Sequence, residues 1–171
     1  RYYSYNESFP ELVEYKQSDK IIDDLDYFID NYIDGCSFTS SFYETDKIYI
    51  DKNEINDMLH DRYDRLPLFE RVDEIAEKLC SNNYKGKLTK VKTYLKLLYQ
   101  NSNFEKDYKK ILKEFFLSDF CDIKLDEKTI DKFINKDIIN YEDALLFTYL
   151  KGRLEGFLYE STIKQVVIDE A

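Results

Sequence analysis

Two adjacent carboxylates, Asp169 and Glu170, follow a run of three β-branched apolar residues, Val166-Val167-Ile168. This is the stretch of the chain whose side chains point to the most specific chemistry. A short all-apolar run of this kind, starting at Gln165, reads as a strand buried on both faces, and such strands belong to parallel sheets covered by helices. Ligands bind beyond the carboxyl ends of those strands. Asp169 is therefore suited to hold Mg²⁺, directly or through water, and Glu170 to orient or deprotonate a water that attacks a γ-phosphate. Phosphoryl transfer also needs a phosphate cradle of the form Gly-x-x-x-x-Gly-Lys-Ser/Thr. The one Gly-Lys pair, Gly86-Lys87, has Ser81 at the place of the first glycine and Leu88 at that of the hydroxyl residue. The match fails, so tight binding or hydrolysis of ATP by this chain alone is not expected.

Other constellations carry less. His60 is the single histidine, and its neighbours Asp57, Asp61 and Asp64 make no known catalytic spacing. Cys36, Cys80 and Cys121 are odd in number, far apart and in no CxxC arrangement, which suits free thiols in a reducing compartment. Gly152-x-x-x-Gly156 suggests close packing at the end of a helix. From Tyr84 to Lys113 there are nine lysines against two acids, a local charge of +7 in a chain of −10, so the remainder sums to −17. With Tyr84, Tyr94, Tyr99 and Tyr108 interleaved, Lys87, Lys90, Lys92 and Lys96 are candidates for contact with a single-stranded nucleic acid. A solvated basic helix pair is the plainer reading, and an acidic partner-facing surface fits the remainder of the chain better.

The elements that would position these residues are mostly helices. Residues 1–15 read as an irregular or extended lead-in containing Pro10. Ser18 is the expected N-cap of a helix with Ile21, Ile22, Leu25, Phe28, Ile29, Tyr32 and Ile33 at helical spacing, ended by Gly35. Its opposite face (Asp19, Asp23, Asp24, Asp26, Asp30, Asp34) reads as solvated rather than metal-binding. Residues 37–43 and 47–50 form an expected β-hairpin. Asp51, with Glu54 three residues on, opens a helix to Arg62, and Pro67 opens another to about Cys80. Helices follow over 87–100, 103–116 and, capped by Asp126, a short one with Ile130, Phe133 and Ile134 inward. Asn140 is the expected cap of a long helix from Tyr141 to about Leu158, which leads to the strand 165–168.

Composition agrees with this outline. The chain has 171 residues, 43% of them hydrophobic, with 16 Tyr and 12 Phe, enough for a sizeable core. Four Gly and two Pro are too few for a sandwich or barrel. An excess of acids excludes a free-standing basic nucleic-acid binder. No apolar run approaches 18 residues, so a soluble, cytoplasmic chain is expected, without a membrane partner. Because residue 1 is Arg, a piece of a longer protein is expected.

Ile163-Lys-Gln-Val-Val-Ile-Asp-Glu-Ala171 resembles the Walker-B strand of superfamily 1 helicases of the UvrD/Rep class, whose pattern continues with Gln-Asp. Glu142-Asp143-Ala144-Leu145-Leu146 and Tyr149-Leu150-Lys151, followed by Gly156, are similar to the helix preceding that strand, most of all in the HelD-like branch of helicase-like ATPases that associate with bacterial RNA polymerase. Tyr49-Ile-Asp-Lys-Asn-Glu-Ile55, Leu66-Pro67-Leu68 and Arg71 resemble the region upstream in that branch. The resemblance implies a mainly α chain: a helical accessory subdomain over residues 1–138, inserted in a RecA-like domain, with a small hairpin, then the helix and Walker-B strand of the RecA-like core over 139–171. It also implies Mg²⁺ and ATP as cofactors of the parent, with Asp169 on the metal and Glu170 on the water, and DNA or RNA polymerase as partners. With its sheet neighbours missing, 165–168 is expected to pair non-natively, to pack irregularly or to be poorly ordered. The competing reading is a non-catalytic helical interaction module.

Overall fold

The computed structural model describes residues 10–44, 47–81, 88–98, 107–135 and 141–157, and these form a mainly α-helical protein. The helices are α1 (Pro10–Lys16), α2 (Lys20–Asp34), α3 (Lys52–Asp57), α4 (Leu68–Ser81), α5 (Leu88–Leu98), α6 (Tyr108–Leu117), α7 (Glu127–Ile134) and α8 (Tyr141–Glu155). Strands β1 (Phe42–Glu44) and β2 (Lys47–Ile50) pair antiparallel between α2 and α3, with a register irregularity between Phe42 and Tyr43. The expected hairpin is present, its first strand shorter than the sequence suggests. Among the described residues no helix is long and apolar enough to cross a membrane. The expected strand over 165–168, with Asp169 and Glu170, lies outside the described residues, as do Lys87 and the cap Asn140.

One expectation at the N-terminal end needs correction. Residues 10–16 are helical, because proline at a helix's first position already has the required φ and loses no bond with its missing N–H. Leu12 and Tyr15 then fall on the buried side. With a helix so close upstream, Ser18 closes α1 instead of opening α2: its hydroxyl donates to the Tyr15 carbonyl at 2.7 Å. Asp19 occupies the cap position of α2. Gly35 ends α2 as expected, but with φ −73° rather than in the left-handed region.

The caps expected at Asp51 and Asp126 are present, while α6 begins at Tyr108 rather than at 103, with Asp107 as its cap. The carboxylate of Asp51 accepts from Asn53 N–H (2.8 Å), that of Asp107 from Lys110 N–H (3.1 Å), and that of Asp126 from both the N–H and the hydroxyl of Thr129. Each satisfies donors that the first helical turn leaves open. Helix α3 runs on into a π-helical turn, Met58–Arg62, closed by a bond from Tyr63 N–H to the Met58 carbonyl. Carbonyls within and just after this turn are met by one side chain. Arg71 of α4, buried, donates to the backbone oxygens of Leu59, Asp64 and Leu66 at 3.0, 2.6 and 2.7 Å.

The apolar stripes meet in one core. Phe28 of α2 packs edge-on against Phe115 of α6 (5.6 Å between centroids), and Phe116 packs edge-on against Phe133 of α7 (5.3 Å). Leu68, Val72, Ile75, Ala76 and Leu79 supply the inner face of α4, and Leu146, Leu150 and Leu154 that of α8. Helix α5 lies along α4 and buries Val91 and Leu95, while its Tyr94 ring stands edge-on to Phe42 of the hairpin at 4.7 Å. Burying aliphatic and aromatic side chains of this size stabilises by about 1.5–3 kcal/mol each.

Candidate functional site

Helix α8 precedes Asp169 and Glu170 in the chain, so the described part of the candidate site is α8 and whatever holds it. Its inner face repeats at positions 143, 146, 150 and 154, and the first of these is an aspartate. Asp143 is 1% exposed, and Lys16 of α1 donates to its Oδ1 at 3.0 Å. The same ammonium stands 4.4 Å over the Phe133 ring of α7, so a carboxylate and an aromatic face replace its lost hydration. Gln17 adds a bond to Glu142 on the outer side.

The second half of α8 is tied to α2. Tyr149 donates its hydroxyl to Asp26 at 2.8 Å, and Arg153 bridges Asp26 (2.7 Å) and Asp30 (2.8 Å), one helical turn apart. The α2 aspartates are thus not all solvated: Asp26 and Asp30 dock α8, and Asp24 accepts from Tyr15 at 2.6 Å. Glu155 accepts from Tyr108 of α6. Burial, reinforced by the bond donated to a carboxylate, raises the pKa of both Tyr149 and Tyr108, so these hydroxyls remain donors well into the alkaline range.

The glycine pair at the end of α8 has a specific use. Gly156 has φ +92°, and its N–H donates to the Gly152 carbonyl at 2.9 Å, the left-handed helix stop that glycine adopts without strain. The chain then turns so that Phe157 lies on Gly152, where a Cβ would come within 2.1 Å of the ring. An open cleft of about 370 Å³ beside this turn is lined by Arg65, Pro67, Arg71, Arg153 and Phe157 among others. Two of its three arginines are already committed, Arg153 to aspartates and Arg71 to carbonyls.

Among the lysine candidates, Lys90 and Lys96 are exposed on α5, and Lys92 pairs with Asp73 of α4 at 3.1 Å. Lys113 bridges Glu127 and Asp131 of α7, whose hydrogen bonds raise its pKa. Of the tyrosines that accompany them, Tyr84 and Tyr99 lie outside the described residues, and the other two have partners: Tyr94 packs on Phe42, and Tyr108 donates to Glu155. His60 Nε2 is 2.7 Å from the Cys36 carbonyl, which can only accept, so that nitrogen carries the proton of a structural bond. Cys36, Cys80 and Cys121 are free thiols. Among the described residues no group of three or more His, Cys, Asp or Glu is gathered to hold a metal ion.

Sequence reasoning missed Lys16–Asp143 and the Asp26–Arg153–Asp30 bridge. A signal existed for each: Asp143 interrupts an otherwise apolar i, i+3, i+7 row, and Asp26 and Asp30 repeat at i, i+4. Neither named its partner, which lies more than 120 residues away in the chain. Comparison with models of protein families, with curated proteins and with solved structures finds no match to this chain.

Proposed function

We propose that this chain belongs to a bacterial, cytoplasmic, superfamily 1, HelD-like ATPase, in which it forms the helical accessory region and the Walker-B strand. The observation that carries the reading is the order of residues after α8: a glycine stop at Gly156, then Ile163 to Ala171 with an apolar strand pattern ending in Asp169-Glu170. The donor set suits the chemistry, since carboxylate oxygen is the hard ligand that Mg²⁺ prefers. Asp169 would hold the Mg²⁺ of Mg-ATP, and Glu170 would orient the attacking water and take its proton. The metal supplies charge neutralisation on the phosphates when bound. The phosphate cradle would come from a segment outside these 171 residues. Helix α8, held by α1, α2 and α6, would give the strand a rigid origin. The parent would use the hydrolysis to remodel nucleic acid or an RNA polymerase complex.

The test compares the chain with the full-length protein that contains it. The full-length protein hydrolyses ATP in a Mg²⁺-dependent manner, and Glu170→Gln lowers kcat by about 100-fold or more while ATP binding is retained. The isolated chain shows no turnover. Turnover by the isolated chain, a natural gene product without a phosphate-binding loop, or an unchanged kcat in Glu170→Gln each overturns the reading in favour of a non-catalytic helical module.

A further inference from the structure

Helix α8 differs from α4 on the side turned away from the core. At about 100° per residue, Tyr141, Leu145, Thr148 and Gly152 fall on one row, opposite the buried row 143, 146, 150, 154. The corresponding side of α4 carries Glu70, Asp73, Glu74 and Glu77, all exposed. The outer row of α8 holds no charge. Tyr141 is 78% exposed and Leu145 49%, with Ala144 exposed beside them. Thr148 donates its hydroxyl to the Ala144 carbonyl at 2.7 Å, so its polar end is satisfied within the helix. Over Gly152 lies the Phe157 ring, itself 46% exposed, which carries the row past the end of the helix. We propose that this outer side packs against the β-sheet of the parent in which residues 165–168 form a strand, so that α8 lies between that sheet and the helical region.

The inference rests on the reading of residues 165–168 given above, and the local observations lead to the same partner. A helix apolar on opposite sides is stable between two apolar layers. One layer is present, since α2, α4 and α6 hold the inner side of α8. A strand that is apolar on both faces needs a helix over each, and Val166-Val167-Ile168 has that pattern. Elements consecutive in the chain are usually neighbours in space. The lengths match too. The row from Tyr141 to Gly152 spans about 17 Å at 1.5 Å per residue, and a strand of five or six residues covers about the same. Residues 157–164 give up to roughly 26 Å of extended chain, enough to lead back along the helix. A second copy of the chain fits less well. The row with Phe157 offers three large exposed side chains, short of the ~800 Å² that each partner of a stable interface buries. A nucleic acid would meet no cation along the row.

Thiol labelling of Leu145→Cys, a change at an exposed position, measures whether the face is covered. The reaction with a water-soluble maleimide is read by mass spectrometry on the peptide that contains position 145. It is expected to be about tenfold or more slower in the full-length protein than in the isolated chain, because the sheet shields the thiol. Both variants keep the helical circular dichroism of their wild types. Cross-linking then identifies the cover. In the full-length protein a bis-maleimide spanning roughly 10 Å, the separation of packed layers, joins Leu145→Cys to Val166→Cys or to Val167→Cys but not to both, because successive strand residues face opposite sides. Equal labelling rates in the two proteins overturn the inference. Slow labelling with neither cross-link also overturns it, by assigning another part of the parent to the face. So does labelling of the isolated chain that slows as its concentration rises, which assigns the face to a second copy. Failure here is separate from failure of the ATPase reading: ATP turnover that depends on Glu170 can be found with an open face, and slow labelling with one cross-link can be found without turnover.

Discussion

The two ends of α8 are held by opposite kinds of electrostatics. At the N-terminal end, Lys16 and Asp143 have side chains 1% exposed and meet under a phenyl ring. At the C-terminal end, Arg153 is 30% exposed and its partners Asp26 and Asp30 are 33% and 65% exposed. The distances are similar, 3.0 Å against 2.7 and 2.8 Å, so distance does not rank them. Burial does. In water an ion pair gains little and loses little; in a dry interior each charge has forfeited several kcal/mol of hydration and depends on its partner. The inner pair therefore ties the start of α8 to α1, while the outer bridge refines how its far half lies on α2.

The largest effects come from breaking the inner pair. Lys16→Met removes the buried ammonium that pairs with the Asp143 carboxylate, and urea unfolding is expected to show a loss of about 3–5 kcal/mol. A loss below about 1 kcal/mol means that water reaches the pair and that the contrast with the outer bridge is false. The double variant Lys16→Met, Asp143→Leu removes both charges and should return to within about 1 kcal/mol of the parent, a coupling of several kcal/mol in the mutant cycle. Next in size is Gly156→Ala. At φ +92° a Cβ is strained, and it meets Glu70 Oε1 at 2.9 Å and Pro67 at 3.3 Å, so a cost of about 1–2 kcal/mol is expected. Arg153→Ala, at the outer bridge, should cost less than about 1 kcal/mol, and added salt should shrink the difference further.

What was legible in the sequence follows the same division. Stripes of apolar residues on α2, α4, α5, α6 and α7 are readable because their period is local and the core needs one face of each. Caps at Asp51, Asp107 and Asp126 need only three or four consecutive residues, and those at Asp51 and Asp126 are legible from the sequence. Helix α1 was missed because Pro10 among aromatics looks like a breaker, when at a first turn it is a starter. The aspartates of α2 look like a solvated face because nothing local tells that Tyr149 and Arg153 arrive from the other end of the chain. Asp143 is the sharpest case. Its place in the row 143, 146, 150, 154 says that it is buried, and burial says that a cation must be near. Only the fold identifies Lys16.

A finer difference between the two ends appears at high pH. Tyr149, which ties the second half of α8 to Asp26 of α2, and Tyr108 of α6, which donates to Glu155 of α8, have pKa values raised in the fold, by burial first and by donation to a carboxylate second. Tyr15, which donates to Asp24, is raised for the same two reasons. The ordinary value, near 10, applies once the chain unfolds. Below it both states are protonated and the contribution of these groups is fully present. Above it the unfolded chain loses protons that the folded chain keeps, so stability falls as pH rises toward the folded values. Denaturation followed from about pH 8 to about pH 11 should therefore show declining stability, with the tyrosinate absorbance of these residues appearing only on unfolding. Tyr149→Phe and Tyr108→Phe each remove one such proton and should make the decline shallower, at little cost at neutral pH. If the slope is unchanged in both variants, the hydroxyls of the outer ties are already free to ionise in the folded protein, and the outer electrostatic tie of α8 rests on Arg153 with Asp26 and Asp30.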